Sequence, residues 1–126
     1  MKYILLAVLL AATPPASAFS SWSVVEDTSA ATVYINTNSA DASPKYVTVW
    51  VLADFKIQQD TWWSSAIQEK YDCTKKLQET LAITVFAEHM GRGNSHLVPF
   101  PSNLTHWHRF VLGGGAEALW RIACNK

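Results

Sequence analysis

Two cysteines constrain the fold of this chain more than any other feature of its 126 residues. Cys73 ends a strand-like run at 67–73, and Cys124 ends a helix-like run at 116–124. A single cysteine pair in an oxidising compartment indicates one disulfide. We therefore expect a bond between Cys73 and Cys124 that ties a C-terminal helix to a sheet. By the chain-entropy relation, closing a loop of this length stabilises a fold by roughly 4 kcal/mol.

The N-terminus has the pattern of a secretory signal peptide, which supplies the oxidising compartment. Lys2 precedes an apolar run at 3–12, and two prolines then lead into a small-residue cleavage pattern that ends at Ala18. The apolar run is shorter than the roughly 20 residues that a membrane-spanning helix needs. We expect 1–18 to be the signal peptide and 19–126 a single exported domain. No cysteine lies next to the predicted cleavage site, so no lipid anchor is expected there.

Charge and composition exclude several classes of partner. The chain has ten basic and ten acidic residues, and removal of Lys2 with the signal peptide leaves nine basic against ten acidic. No basic stripe of the kind that binds nucleic acid is present, and no polybasic segment for an anionic membrane. We therefore expect no nucleic-acid partner and no membrane insertion after signal cleavage. The six tryptophans indicate that aromatic packing or aromatic recognition matters in this protein.

The distribution of apolar and β-branched residues predicts an antiparallel sheet of about six strands. Turn residues cluster at 38–44, and a polar connection is expected at 56–64. Consecutive strands joined by such connections favour a meander. The predicted strands are 21–25, 32–36, 46–55, 65–73, 76–88 and 107–112.

Two of these strands carry more specific predictions about their faces. The strand at 46–55 is apolar on both faces, which is typical of a central strand that is covered on both sides. The strand at 76–88 alternates between apolar and polar residues. Its alternation predicts Leu81 and Ile83 on one face and Thr80 on the other.

A C-terminal helix is predicted after the glycines at 113–115. Glu117 and Arg121 have the spacing of an ion pair on its outer surface. The apolar stripe on the opposite surface consists of Ala116, Leu119, Trp120, Ala123 and Cys124. The predicted fold is therefore α+β: a curved antiparallel sheet of about six strands, with a C-terminal helix packed on one face and tied by a disulfide.

Six segments of the predicted mature chain carry a family resemblance: Trp22, 32–35, 47–55, 71–73, 90–93 and 117–124. Taken together and in this order, they resemble the surface-adhesin protein E domain of Gram-negative bacteria. The resemblance implies an antiparallel sheet of about six strands with a C-terminal helix held by a disulfide. It also implies a non-catalytic adhesin that has no cofactor and binds host extracellular-matrix proteins such as vitronectin and laminin.

A second interpretation is a periplasmic envelope-accessory or metal-binding protein with no host ligand. His106 and His108 are the weak metal-binding candidates, because side chains two residues apart share a face if 106–108 is a strand. A transition-metal site needs three or four converging ligands, so solvated histidines are the favoured interpretation and no metal site is predicted. Both interpretations place the mature chain in the periplasm or on the cell surface.

No catalytic residue is predicted, and the protein is expected not to be an enzyme. A disulfide-bonded Cys73 has no thiolate to act as a nucleophile. Glu69 shares its strand parity with Ile67 and Tyr71, which is unusual for an acid. We expect it to be a strand-edge acid paired with a lysine.

Four aromatic residues are the candidate binding residues. Trp62 and Trp63 lie in the predicted polar connection, where exposed rings favour recognition and rings packed over the sheet edge are the alternative. Tyr46 and Trp50 are expected on the sheet face opposite the helix. That face could bind a protein partner or form a homodimer contact.

Overall fold

The computed structural model describes residues 21–100 and 106–126, so the predicted signal peptide lies outside the described residues. Strands β1 to β5 pair antiparallel, each with its neighbour in sequence, and β6 and β7 both pair with β5. The predicted α+β meander is therefore confirmed. The described elements are β1 (Trp22–Asp27), β2 (Ala31–Ala42), β3 (Tyr46–Gln59), β4 (Trp62–Asp72), β5 (Leu77–Phe86), a 3-10 turn (His89–Gly91), β6 (Ser95–Leu97), β7 (His108–Arg109) and α1 (Gly115–Ala123).

The hydrophobic core lies between the sheet and α1. Alternate residues of the central strands point toward the helix, because successive side chains of a strand face opposite sides of the sheet. The buried members of the core are Ile35, Val47, Val49, Val51, Tyr71, Phe110 and Trp120. The predicted helix stripe packs against them, since Ala116, Leu119, Ala123 and Cys124 contact the same cluster.

The disulfide joins the end of β4 to the end of α1, as predicted. Cys73 and Cys124 are bonded, with their Cα atoms 5.5 Å apart. Beside the bond, the indole Nε1 of Trp120 donates a hydrogen bond of 2.9 Å to the carbonyl oxygen of Asp72. The covalent bond and the buried hydrogen bond thus fix the same end of the helix to the same end of β4. No helix in the described part of the chain is long and apolar enough to span a membrane.

Charged residues hold the outer surface of α1. Glu117 accepts a hydrogen bond of 2.9 Å from Lys76 Nζ, and its other oxygen accepts one of 2.9 Å from the backbone N–H of Gly113. Its Oε2 also lies 3.5 Å from Arg121 Nη2, which is the pair that the sequence predicted. The hydrogen bonds from Gly113 and Lys76 hold the pKa of Glu117 below its ordinary value.

The hairpin between β3 and β4 is longer than predicted. The polar connection expected at 56–64 is wrong, because β3 continues to Gln59 and β4 begins at Trp62. Asp60 makes the turn with φ of 58°, a left-handed conformation that Asp tolerates better than most residues. Residues 56–59 are exposed, and the register shifts between Asp54 and Gln59, so Gln59 is the residue of this stretch with a partner on β4, Trp62. An exposed and irregularly paired stretch requires no apolar alternation, so its sequence did not indicate a strand.

Two other strand boundaries also differ from the prediction. The turn expected at 38–44 begins later than predicted, because β2 continues to Ala42 with a register shift between Asn36 and Asp41, and the turn to β3 starts at Ser43. Ser39 Oγ donates to the carbonyl of Asn36 at 2.6 Å, so a side chain replaces part of the regular ladder at this irregularity. The strand expected at 107–112 is reduced to the two residues of β7.

A β-bulge in β5 reverses the predicted faces of its first half. The pairing passes from Gln68–Ala82 to Glu69–Thr80, which leaves Leu81 as an inserted residue. Side chains alternate between the two faces of a strand only while no residue is inserted. The prediction that Thr80 and Ile83 lie on opposite faces of β5 is therefore wrong. Thr80 instead lies beside Glu69 on the helix-facing side, and Leu81 is 42% exposed.

Candidate functional site

The sheet face opposite α1, which we call the open face, carries a cluster of rings and lysines at one end. Tyr46 begins β3, and its ring stacks on Trp107 with centroids 5.4 Å apart and planes 21° apart. Lys70 Nζ lies 4.9 Å from the Tyr46 centroid and 5.7 Å from that of Trp107, and Lys45 Nζ lies 5.3 Å from Tyr46. We call these four residues the aromatic–lysine cluster. Each cation–ring distance is within the range of a favourable cation–π contact.

Long-range pairing brings this cluster together. Tyr46 of β3 pairs with Asp72 of β4, and Thr48 pairs with Lys70. Tyr46 and Lys70 are therefore diagonal neighbours on the same face of the sheet. Trp107 comes from the segment just before β7 and reaches the same surface. The sequence identified Tyr46 as a candidate but not Trp107 or the lysines, because their proximity depends on strand register and on the path of the chain before β7.

Trp50 lies on the open face as expected, four residues along β3 from Tyr46. It pairs with Asn36 of β2 and Gln68 of β4, and its ring is half-buried. The neighbouring Leu52 is only 1% exposed, so the middle of the open face is well covered although α1 packs on the other side. The structure therefore places the predicted pair Tyr46 and Trp50 on one surface, with Tyr46 at its more charged end.

The two adjacent tryptophans lie on β4, at the far end of the sheet from the disulfide. The ring of Trp62 stacks on His96 with centroids 6.2 Å apart, and the ring of Trp63 lies 4.7 Å from that of His89. His89 is itself held by Asp54, whose Oδ1 is 3.0 Å from its Nδ1. Both tryptophans are half-buried, so each ring packs on a histidine and still presents part of its surface. Their role in binding stays a prediction.

The two weak metal candidates do not lie on one strand face, because β7 includes His108 but not His106. The imidazole of His108 has neighbours at both nitrogens: His106 O lies 3.0 Å from Nδ1, and Gln78 Nε2 lies 3.2 Å from Nε2. Within residues 21–100 and 106–126, no group of three or more histidines, cysteines or acids is arranged to hold a metal ion.

The helix-facing side contains a buried carboxylate whose environment the sequence did not predict. Glu69 is 7% exposed, and its Oε1 accepts a hydrogen bond of 2.5 Å from Thr80 Oγ1. No described lysine or arginine pairs with it, so the expected lysine partner is wrong. Burial raises the pKa of Glu69 to about 7, although the Thr80 hydrogen bond and the charge of His108 act in the opposite direction. Glu69 and Tyr71 are two residues apart on β4, so their side chains share a face, and this spacing was the sequence signal that Glu69 faces the core.

Comparison with known proteins gives a family and a fold. The family model for surface-adhesin protein E matches residues 22–125, which is nearly the whole described chain. No curated protein matches the sequence.

Solved structures of protein E from Haemophilus influenzae have the same fold. The selenomethionine form has a TM-score of 0.67 and 14% sequence identity, with 90% of this chain and 92% of that chain covered. Crystal form II has a TM-score of 0.65 and 14% identity, with 90% and 94% covered. A structure of protein E from non-typeable Haemophilus influenzae has a TM-score of 0.61 and 14% identity, with 90% and 81% covered. At this identity the likeness shows the fold alone.

Proposed function

The chain belongs to the surface-adhesin protein E family, and on this basis we propose that it is a non-catalytic binding protein that attaches to host extracellular-matrix proteins. The match over residues 22–125 supports the adhesin assignment. The observation that carries the proposal for a specific surface is the aromatic–lysine cluster on the open face. Fold by itself does not determine a ligand, so the residues of that surface must supply the recognition.

The cluster has the chemistry of a protein-recognition surface. Tyr46 and Trp107 offer large rigid rings, which are enriched among the residues that dominate binding energy. Lys45 and Lys70 lie within 5.3 Å of the Tyr46 ring and add positive charge beside it. We therefore propose that the partner presents acidic side chains next to apolar ones. Trp50 on the same face extends the surface along β3.

The proposed function requires export, and we propose that residues 1–18 direct it and that 19–126 is the mature domain. Its final location is proposed to be the cell surface. Protease treatment of intact cells tests this, with osmotically shocked cells as the matched control and the mature chain detected by blotting. Loss of the chain from intact cells supports the surface location. Protection until shock would contradict it and favour the periplasmic envelope-accessory interpretation.

Binding is tested with the purified mature chain and immobilised vitronectin and laminin. Trp107→Ala removes one ring of the cluster, and Trp62→Ala removes a half-buried ring of the other candidate surface at the opposite end of the sheet, so the two variants compare the two surfaces. We expect the Trp107 variant to bind at least about tenfold more weakly and the Trp62 variant to bind like the wild type. An equal loss of binding in both variants would contradict the assignment of the contact surface to the aromatic–lysine cluster. Absence of wild-type binding to both proteins would overturn the proposed partner class.

A further inference from the structure

A cleft lies between α1 and the helix-facing side of the sheet. Its volume is about 370 Å³, which is within the range of small-molecule sites in proteins. Strands β1 to β5 form its floor, and the N-terminal part of α1 forms one wall. Its lining includes Glu26, Val51, Glu69, Tyr71, Gln78 and Leu119.

Two buried oxygens in this cleft lack a hydrogen-bond partner. Glu69 Oε1 is satisfied by Thr80, but Glu69 Oε2 has no partner, and neither has the hydroxyl of Tyr71. Glu69 is 7% exposed and Tyr71 is fully buried. A buried polar atom that forms no hydrogen bond costs free energy, and native proteins satisfy the great majority of such atoms. Both residues line the same cavity, so an occupant that brings hydrogen-bond donors would complete the hydrogen bonding of both groups.

The charge of the cleft is negative. Glu26 brings a second carboxylate from β1, and neither Glu26 nor Glu69 forms an ion pair with any residue of the described chain. The helix contributes Gly115, Ala116 and Leu119, which carry no charge. His108 on β7 lies next to the cleft residue Gln78, with 3.2 Å between the two Nε2 atoms. The charge of His108 lowers the pKa of Glu69, whereas burial raises it. The occupant that complements this cleft is therefore a cation with several hydrogen-bond donors.

We propose that this cleft binds a small organic ammonium ion, specifically a primary amine that carries an apolar body. A primary ammonium has three N–H donors, and the cleft offers Glu69 Oε2, the Glu26 carboxylate and the Tyr71 hydroxyl as acceptors. The apolar body packs against Val51 and Leu119. The described residues offer too few ligands for a metal ion at this place, so the organic cation is the better match.

The ionisation of Glu69 makes this binding depend on pH. Burial raises the pKa of Glu69 to about 7, so its carboxylate becomes charged as the pH rises through neutrality. An alkyl ammonium stays protonated over this range, as a lysine side chain does. Affinity for the amine is therefore expected to rise between pH 6 and pH 8, by up to about tenfold for one acquired charge in a buried site. A neutral ligand of the same shape would show no such rise.

The test is a titration of the mature chain with 2-phenylethylamine, followed by amide chemical shifts in heteronuclear NMR spectra at pH 6 and pH 8. The matched neutral probe is 2-phenylethanol, which has the same ring and chain length. We expect saturable shifts in β4 and α1 with the amine, tighter binding at pH 8, and at least about tenfold weaker binding of the alcohol. Equal binding of amine and alcohol, or no saturable shift with the amine, would overturn the proposal. This comparison requires no substitution.

Three variants then test the residues. Glu69→Gln and Tyr71→Phe each remove one proposed acceptor atom or charge and keep the side-chain shape. Glu79→Gln is the matched control, because Glu79 pairs with Lys70 on the other side of the sheet from the cleft. We expect about tenfold weaker amine binding in the first two variants and unchanged binding in the third. Loss of binding in the control, or retention in both cleft variants, would contradict the assignment. The cleft lies opposite the aromatic–lysine cluster, so this result is independent of the proposed matrix binding.

Discussion

Two tyrosines on neighbouring strands show how differently the two faces of this sheet are used. Tyr46 pairs with Asp72 and Tyr71 pairs with Val47, so the two rings are one step apart in the same ladder on opposite faces. Tyr71 is fully buried under α1 and its hydroxyl has no partner. Tyr46 is half-buried, stacks on a tryptophan and lies near two lysines.

The difference follows from what covers each face. The covered face is closed by a helix that one disulfide and one indole hydrogen bond hold in place, so polar atoms there lose water without always gaining a partner. The open face keeps its charged groups at the surface, where lysines form cation–π contacts with aromatic rings and lose little hydration free energy. Aromatic residues therefore stabilise the fold on the covered face, and on the open face they form the recognition surface that we propose.

Removal of the central ring of the covered face should have the largest effect. Trp120 is 5% exposed, and its Nε1 donates to the carbonyl of Asp72. Trp120→Ala is expected to lower the free energy of unfolding by about 5 kcal/mol, from the lost burial and the carbonyl left without its donor. Urea unfolding followed by circular dichroism measures this. A loss below about 1 kcal/mol would show that α1 adds little to the covered face.

Removal of the disulfide is the next largest change expected. The Cys73→Ser and Cys124→Ser double variant opens a loop with a sequence separation of 51, which should lower the free energy of unfolding by about 4 kcal/mol. The wild type in a reducing buffer is the matched control and should lose the same amount. Unchanged unfolding midpoints in both samples would mean that packing alone holds the helix on the sheet.

The buried carboxylate should make stability fall as the pH rises. The pKa of Glu69 is raised to about 7 in the folded state, so the folded protein keeps a proton that the unfolded chain has released above about pH 4.5. Between about pH 4.5 and pH 8, this difference should lower the free energy of unfolding by roughly 3 kcal/mol. The three groups with lowered pKa, Asp27, Asp72 and Glu117, lose their contribution to stability only at lower pH and so act outside this window.

Unfolding midpoints in urea across this pH range measure that effect. Glu69→Gln cannot ionise, so its stability should lack this decline, whereas Glu79→Gln should behave like the wild type. A wild-type protein whose stability rises steadily from pH 5 to pH 8 would contradict the buried, partly unpaired state of Glu69.

The smallest effect on stability is expected on the open face. Trp107→Ala removes a half-buried ring that stacks on Tyr46, so the free energy of unfolding should fall by about 1 kcal/mol or less. The contrast with Trp120→Ala in the same urea series sharpens the comparison between the two faces. A loss as large as that of the Trp120 variant would show that the aromatic–lysine cluster is a second core rather than a recognition surface.

Local patterns were sufficient to predict most of the elements. The apolar stripe of the helix, which includes Trp120 and Cys124, was predicted correctly. Its apolar residues recur every three or four positions within one short segment, so no long-range contact is needed to identify it. The strand boundaries were predicted less well at Gln59 and Ala42, where polar or turn-like residues continue each strand beyond a register shift. The faces of β5 were predicted incorrectly because one inserted residue, Leu81, shifts the alternation.

The candidate site was predicted only in part. Tyr46 and Trp50 were assigned to the open face from the parity of a single strand, and the structure agrees. Trp107 joins Tyr46 although the two are far apart in sequence, and no local pattern contains that contact. Glu69 was assigned a lysine partner because most strand acids are solvated, whereas the bulge in β5 brings Thr80 beside it.

The sequence by itself determined the meander, the terminal helix and the disulfide, and the resemblance of its segments indicated the family. These follow from short-range periodicity and from the chemistry of a single cysteine pair. Only the tertiary structure decided the burial of Glu69, the cleft beneath α1 and the meeting of Tyr46, Trp107 and Lys70. The physical reason is that burial and proximity depend on strand register and bulges, where the insertion of one residue changes which side chains share a face.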